Sequence, residues 1–282
     1  MRHEDGRPSG ADQGGQAALP GQHAQRAGGR GGAAALRLDK RTYLDGGRHS
    51  VILRDYGGGL IEVGWSFVPA LTPSKAGRGK STARDAHEDR AVRRARSRLR
   101  RLILAAQLDH LLTLTYRENV TDYKQASADL GRFVRRLRSK LPGWLYVAVA
   151  EQQARGAWHW HIAVKGRQDV NLLRAEWRAV VGEGNIDVEP PKGRGVNRRL
   201  ALVKYLGKYL AKTFESGDRA LNAHRYRATR GIKLPFESII VPPESRGEVS
   251  RYVLDLLHQR AGGVGYVWVD PKGMAGWACS WG

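Results

Sequence analysis

WLYVAVAEQQARGAWHWHIAV, residues 144–164, reads as two strands joined by a tight turn. Trp144–Gln152 is rich in apolar and β-branched residues, Gln153–Gly156 carries the turn, and Ala157–Val164 returns as a second strand. Along a strand, side chains two apart project from one face, so His159 and His161 are neighbours while Trp158, Trp160 and Ile162 point the other way. With the turn centred near Ala154 and Arg155, Glu151 falls roughly opposite His159 on the same face.

Elements of both periods flank this hairpin. Leu111–Tyr116, LLTLTY, alternates as a strand. Residues 122–141 place Ala126, Leu130, Phe133, Val134 and Leu137 at helical spacing. Asp169 is an N-cap for a helix with Leu172, Leu173, Trp177, Val180 and Val181 on one side. Asn185–Val188 predicts a short strand before Pro190-Pro191, residues 197–214 a helix, and Tyr226–Ile232 a last strand. Intermixed helices and hairpin strands predict an α+β fold on an antiparallel sheet, carried by residues 83–235.

The ends read differently. Residues 1–36 are rich in Gly, Ala, Gln and Arg without any period, which predicts a disordered basic tail or residues upstream of the true start. Within 37–82, apolar stretches around Gly57-Gly58-Gly59 suggest a small hairpin, and 71–82 a linker. Gly79-Lys80-Ser81 imitates the end of a phosphate-binding P-loop, but the motif's first glycine would fall at Ser74, so no nucleoside-triphosphate site is expected. Beyond Pro242-Pro243, residues 236–282 give a helix with Val249, Tyr252, Val253, Leu256 and Leu257, then a Trp- and Gly-rich extension.

The 282 residues carry a formal net charge of +21, which points to a polyanionic partner such as DNA, RNA or an anionic membrane. No apolar run is long enough to span a bilayer. Cys279 is the sole cysteine, so an internal disulfide and Cys-based zinc modules are excluded. Between 83 and 106, eight arginines outnumber three acids, either as a solvated helix face or as a surface for a nucleic-acid backbone.

Two clusters carry chemistry. His159, His161 and Glu151 form a nitrogen and oxygen set with open coordination positions, suited to Mn²⁺ or Mg²⁺, with zinc still open. A His-x-His pair also occurs as two merely hydrogen-bonded histidines. Tyr205-Leu-Gly-Lys208-Tyr209-Leu-Ala-Lys212 places both tyrosines on one helical face and both lysines on another. A nearby cation favours the phenolate that a nucleophilic tyrosine needs, and the lysines could neutralise an attacked phosphodiester. The same stretch also reads as an amphipathic helix with half-buried tyrosines and outward lysines above Leu200, Val203, Leu206 and Leu210.

Taken in order, LLTLTY at 111–116, EQQARGAWHWH at 151–161 and YLGKYLAK at 205–212 resemble the motifs of the HUH (histidine–hydrophobic–histidine) endonucleases. The likeness is to two-tyrosine rolling-circle replication initiators of bacterial plasmids and single-stranded DNA phages. YRATRGI at 226–232 is similar to a segment that often follows the third motif, and the resemblance spans roughly 83–232. It implies a five-stranded antiparallel sheet with flanking helices, related to RNA-recognition and ferredoxin-like folds. It also implies a divalent ion on His159, His161 and Glu151, with Tyr205 or Tyr209 attacking single-stranded origin DNA beside Lys208 and Lys212. The products would be a 5′-phosphotyrosine and a free 3′-hydroxyl, with a host helicase and DNA polymerase as partners in a bacterial cytoplasm. Arg93 and Arg94, within the run to Arg101, and Arg132, Arg135, Arg136 and Arg138 are candidate phosphate contacts. Tryptophans and tyrosines near the cleft could stack unpaired bases. A transposase with the same chemistry, or a non-catalytic single-strand binder, are the alternative readings.

Overall fold

The computed structural model describes residues 47–70, 84–189, 193–215, 226–241 and 248–282. The expected tail at 1–36 and linker at 71–82 lie outside those residues. The chain order is β1 (Arg48–Asp55), β2 (Ile61–Val68), α1 (Arg84–Ala105), β3 (His110–Tyr116), α2 (Tyr123–Lys140), β4 (Tyr146–Gln152), β5 (Trp158–Val164), α3 (Val170–Val181), β6 (Gly184–Glu189), α4 (Val196–Glu215), β7 (Arg227–Ala228), β8 (Glu237–Val241), α5 (Val249–Ala261), β9 (Tyr266–Val269) and β10 (Ala275–Cys279). The fold is α+β, with two five-stranded antiparallel sheets rather than one.

The central sheet runs β6-β3-β5-β4-β7. Its innermost strand, β5, is buried along all of Trp158–Val164, because helices cover both faces. On one face α2 and α3 pack Leu130, Phe133, Leu137 and Trp177 against Trp160, Ile162 and Leu114. Each of these helices begins where an aspartate side chain replaces a missing backbone acceptor: Lys124 N–H donates to Asp122 at 2.8 Å, and Leu172 N–H to Asp169 at 3.0 Å. Trp177 donates its indole N–H to the Thr115 carbonyl at 2.9 Å, passing so close to Gly184 that a Cβ there would lie 2.6 Å from Nε1. On the other face α1 and α4 bury Leu99, Ile103, Leu202, Leu206 and Leu210 against Leu111, Val147, Val149 and Ala163.

The hairpin turn fixes the register that matters. Gln153 N–H donates to the Ala157 carbonyl at 2.9 Å and Gly156 N–H to the Gln153 carbonyl at 2.8 Å. Gly156 closes the turn at φ +85°, a conformation that side chains disfavour. The result pairs Glu151 with His159 and Val149 with His161.

Two expectations change. The strand over Tyr226–Ile232 shrinks to Arg227–Ala228, paired with Ala148 and Val147. Thr229 extends this contact from outside the strand, its N–H donating to the Tyr146 carbonyl and its hydroxyl accepting from Tyr146 N–H, both at 3.0 Å. The segments 37–82 and 236–282 are not separate pieces. Their strands form one sheet, β8-β1-β2-β10-β9, in which β10 pairs Gly276 with Trp65 and β8 pairs Ile239 with Val51. One face of this terminal sheet packs Leu53, Ile61, Val63 and Ala278 against Val253, Leu256 and Leu257 of α5. No helix among the described residues is long and apolar enough to cross a membrane.

Candidate functional site

His159 and His161 stand on the face of β5 that α4 covers. That helix is held by Leu202, Leu206 and Leu210 at four-residue spacing, so its neighbouring face carries Tyr205 and Tyr209 over the imidazoles. The Tyr209 ring stacks on His161, with centroids 4.2 Å apart and planes at 22°. Tyr205 meets His161 edge-on at 5.6 Å, and Tyr209 Oη donates to Tyr205 Oη at 3.2 Å. Lys212, one turn further, places Nζ 5.2 Å from the centre of the Tyr209 ring and donates to Glu151 Oε1 at 3.3 Å.

Glu151 therefore lies between a cation and an imidazole, accepting also from His161 Nε2 at 2.8 Å. The Thr113 hydroxyl, directly across the ladder on β3, approaches His161 Nδ1 at 3.3 Å. Gln153 Nε2 donates to His159 Nδ1 at 3.1 Å. Burial lowers the pKa of both histidines. His161 adds to the effect at His159, and at His161 burial outweighs the opposing pull of Glu151. Both rings are held neutral, the form that ligates a metal.

Two imidazoles and a carboxylate on one strand face have the donor chemistry of a divalent-ion site. His159 Nε2 strengthens the fit, since it is buried and has no hydrogen-bond partner among the described residues. The set is not drawn together as a finished cluster: among the described residues no three His, Cys, Asp or Glu side chains group to hold an ion. Glu151 spends its oxygens on His161 and Lys212 instead.

Tyr205 departs from what its motif leads one to expect. Burial, the Tyr209 hydroxyl and the Glu151 charge all raise its pKa, so the phenol is held protonated by these groups. Lys208 does not join the cluster; it is exposed and makes no ion pair among the described residues. Thr113 and Gln153 are the partners that sequence reading missed. Thr113 had a signal, because the alternation of LLTLTY puts it on the histidine face. Gln153 had none beyond its place in the turn.

The arginines separate into two groups. Arg132, Arg135 and Arg136 stand on α2, which covers the sheet face opposite the histidines. Arg132 pairs with buried Asp129, and Arg136 donates to buried Glu176 at 2.7 Å alongside Lys140, so both hold structure. Arg135 is exposed beside Arg227. Arg93 and Arg94 are exposed on α1, and Arg93 lines a cavity under the terminal sheet.

Residues 109–214 match the model of a family described as Replication-associated protein ORF2. No curated protein matches the chain. The crystal structure of the hypothetical protein ORF119 from Sulfolobus islandicus rod-shaped virus 1 aligns at 10% identity over 45% of this chain and 97% of that one. Its TM-score is 0.31, too low to carry an argument. Over the stretch that holds both histidines, Glu151 and both tyrosines, the chain is similar to replication-associated proteins.

Proposed function

We propose that this chain is a replication initiator that nicks single-stranded origin DNA with a tyrosine and starts rolling-circle synthesis. The observation that carries the reading is the stack of Tyr209 on His161 with Tyr205 in hydroxyl contact, which converges two phenols and an imidazole pair on one spot. The match over 109–214 to replication-associated proteins supports it.

In the nicking step the tyrosine Oη gives up its proton to solvent and attacks the scissile phosphorus. The O–P bond to tyrosine forms as the bond from phosphorus to the 3′ oxygen breaks, and that oxygen takes up a proton. The products are a 5′-phosphotyrosine and a free 3′-hydroxyl, and the bond energy is retained for religation. A divalent ion held by His159, His161 and Glu151 would polarise the phosphate and favour the leaving 3′ oxygen. Lys212 holds Glu151 and covers Tyr209, and Thr113 and Gln153 orient the imidazoles. A second phenol within hydroxyl contact can attack a regenerated origin while the first still carries DNA. The free 3′ end would prime a host polymerase, with a host helicase opening the duplex ahead.

The test is covalent capture. Single-stranded oligonucleotides tiling the DNA that encodes the chain are incubated with Mn²⁺ and resolved on a denaturing gel. A protein–DNA adduct is expected with one of them, absent in His159→Ala and lost when Tyr205 and Tyr209 are both Phe. An adduct that persists in the double Phe variant overturns the assignment of the nucleophile.

A further inference from the structure

A cavity of about 820 Å³, apart from the tyrosine site, lies between α1 and the face of the terminal sheet turned away from α5. Its walls have two chemistries. Arg93, Arg96 and Arg100 follow helical spacing along one side of α1, and Arg54 and Arg101 join them. Across from them stand Tyr266, Trp268 and Trp277. Trp268 and Trp277 are register partners on β9 and β10, and Tyr266 sits 5.7 Å from Trp277. Small residues, Ser50, Gly64 and Ser66, leave the space between open.

The charge is one-sided. Among the described residues five arginines line the cavity and no acid does. Glu62 is fully buried beneath, where it accepts from Arg100 at 2.8 Å and Arg101 at 2.6 Å and lies 3.8 Å from Arg54. One carboxylate against three guanidiniums leaves net positive charge under the cavity, before Arg93 and Arg96 at its exposed rim are added. Arg54 Nε and Trp277 Nε1 are buried without a hydrogen-bond partner among the described residues. The aromatics are similarly unspent. Tyr266 and Trp268 are each 51% exposed on an edge strand that other chains could approach. Arg100 already lies 4.5 Å over the Trp277 ring, showing that the pocket brings guanidinium and indole into register.

We propose that this cavity is a second nucleic-acid site, holding a short run of unpaired DNA strand with bases stacked on Trp268 and Trp277 and phosphates on Arg93 and Arg96. The aromatic wall selects unpaired bases, because a base inside a duplex has no free face to stack. The arginine wall selects a polyanion over a neutral ligand. Such a site holds one strand away from the reacting phosphate, and what it binds does not depend on the tyrosines.

The experiment measures fluorescence anisotropy of a labelled oligodeoxythymidine on the full chain carrying Tyr205→Phe and Tyr209→Phe, so that no adduct forms. Trp268→Ala is expected to weaken binding roughly 5- to 150-fold, the loss of one base stack, and Trp268→Phe to restore most of it. Arg93→Ala with Arg96→Ala should lower the slope of log affinity against log salt by about 1.4, at ~0.7 per phosphate contact on a single strand. All three side chains are exposed, so thermal melting should stay near that of the parent. Unchanged affinity in Trp268→Ala, or an unchanged salt slope in the arginine pair, overturns the proposal. Strand binding that responds to these variants while no origin adduct ever forms would sink the nicking reading and leave this site standing.

Discussion

Thr113 is the smallest part of the candidate site with a clear task. With His161 Nε2–H donating to Glu151, the Thr113 hydroxyl donates to Nδ1; with a metal on Nε2, the proton moves to Nδ1 and the same oxygen accepts it. A hydroxyl suits both states, and an isosteric methyl suits neither. Thr113→Val should therefore raise the Mn²⁺ concentration needed for adduct formation by about 10–100-fold. It should leave the adduct yield at saturating Mn²⁺ much closer to that of the parent. A Mn²⁺ titration of adduct yield checks this, and an equal loss at every concentration would show that Thr113 only supports the fold. Lys212 acts on the other side of the same carboxylate. Lys212→Met should free Glu151 Oε1 and uncover the Tyr209 ring.

The β4–β5 hairpin shows what an element contributes. Its two-residue period, its glycine turn and the Glu151–His159 pairing were all legible, because turn chemistry and alternation are local. The turn depends on Gly156 at φ +85°, so Gly156→Ala should cost ~1–2 kcal/mol in chemical denaturation through backbone strain alone. Space is not the obstacle, as a Cβ there would meet Thr121 Cγ2 at 3.4 Å. Helix α2 shows the limit of the same reading. Its arginine run suggested phosphate contacts, but charge spacing along one helix does not reveal acids buried on the layers beside it. Asp129 and Glu176 take Arg132 and Arg136. Arg136→Ala is expected to lower stability by ~1 kcal/mol or less, since Lys140 still faces Glu176 and the arginine is half exposed. Arg135→Ala should leave stability unchanged. Parallel urea melts of the two variants distinguish a supporting arginine from a spare one.

At the scale of the molecule, the informative result is that both ends of the described chain meet in one sheet. Sequence could not show it, because β2 and β10 lie near opposite ends of the chain and strand pairing over that distance leaves no local pattern. What joins this sheet to the central one is partly apolar, with Tyr56 and Leu60 packed on Leu104, and partly ionic. Glu62 of β2 receives Arg100 and Arg101 of α1, and all its polar contacts lie out of water. Burial pushes its carboxyl pKa up, but the two arginines reverse that and hold it below the ordinary carboxylate value. A carboxyl whose folded pKa is depressed binds fewer protons folded than unfolded. Its stabilisation is thus fully present above the ordinary carboxylate pKa and is lost as pH falls through the depressed one. Glu62→Gln removes that term. At neutral pH it should destabilise by ~3–5 kcal/mol, leaving three guanidiniums around an amide. Below about pH 4 the gap should narrow, because the parent protonates the same carboxyl and arrives at a similar neutral group. Thermal melts of the two chains across this range should converge as the acid limb is entered. Parallel curves would mean that the contact between the sheets rests on the Tyr56, Leu60 and Leu104 packing and not on Glu62.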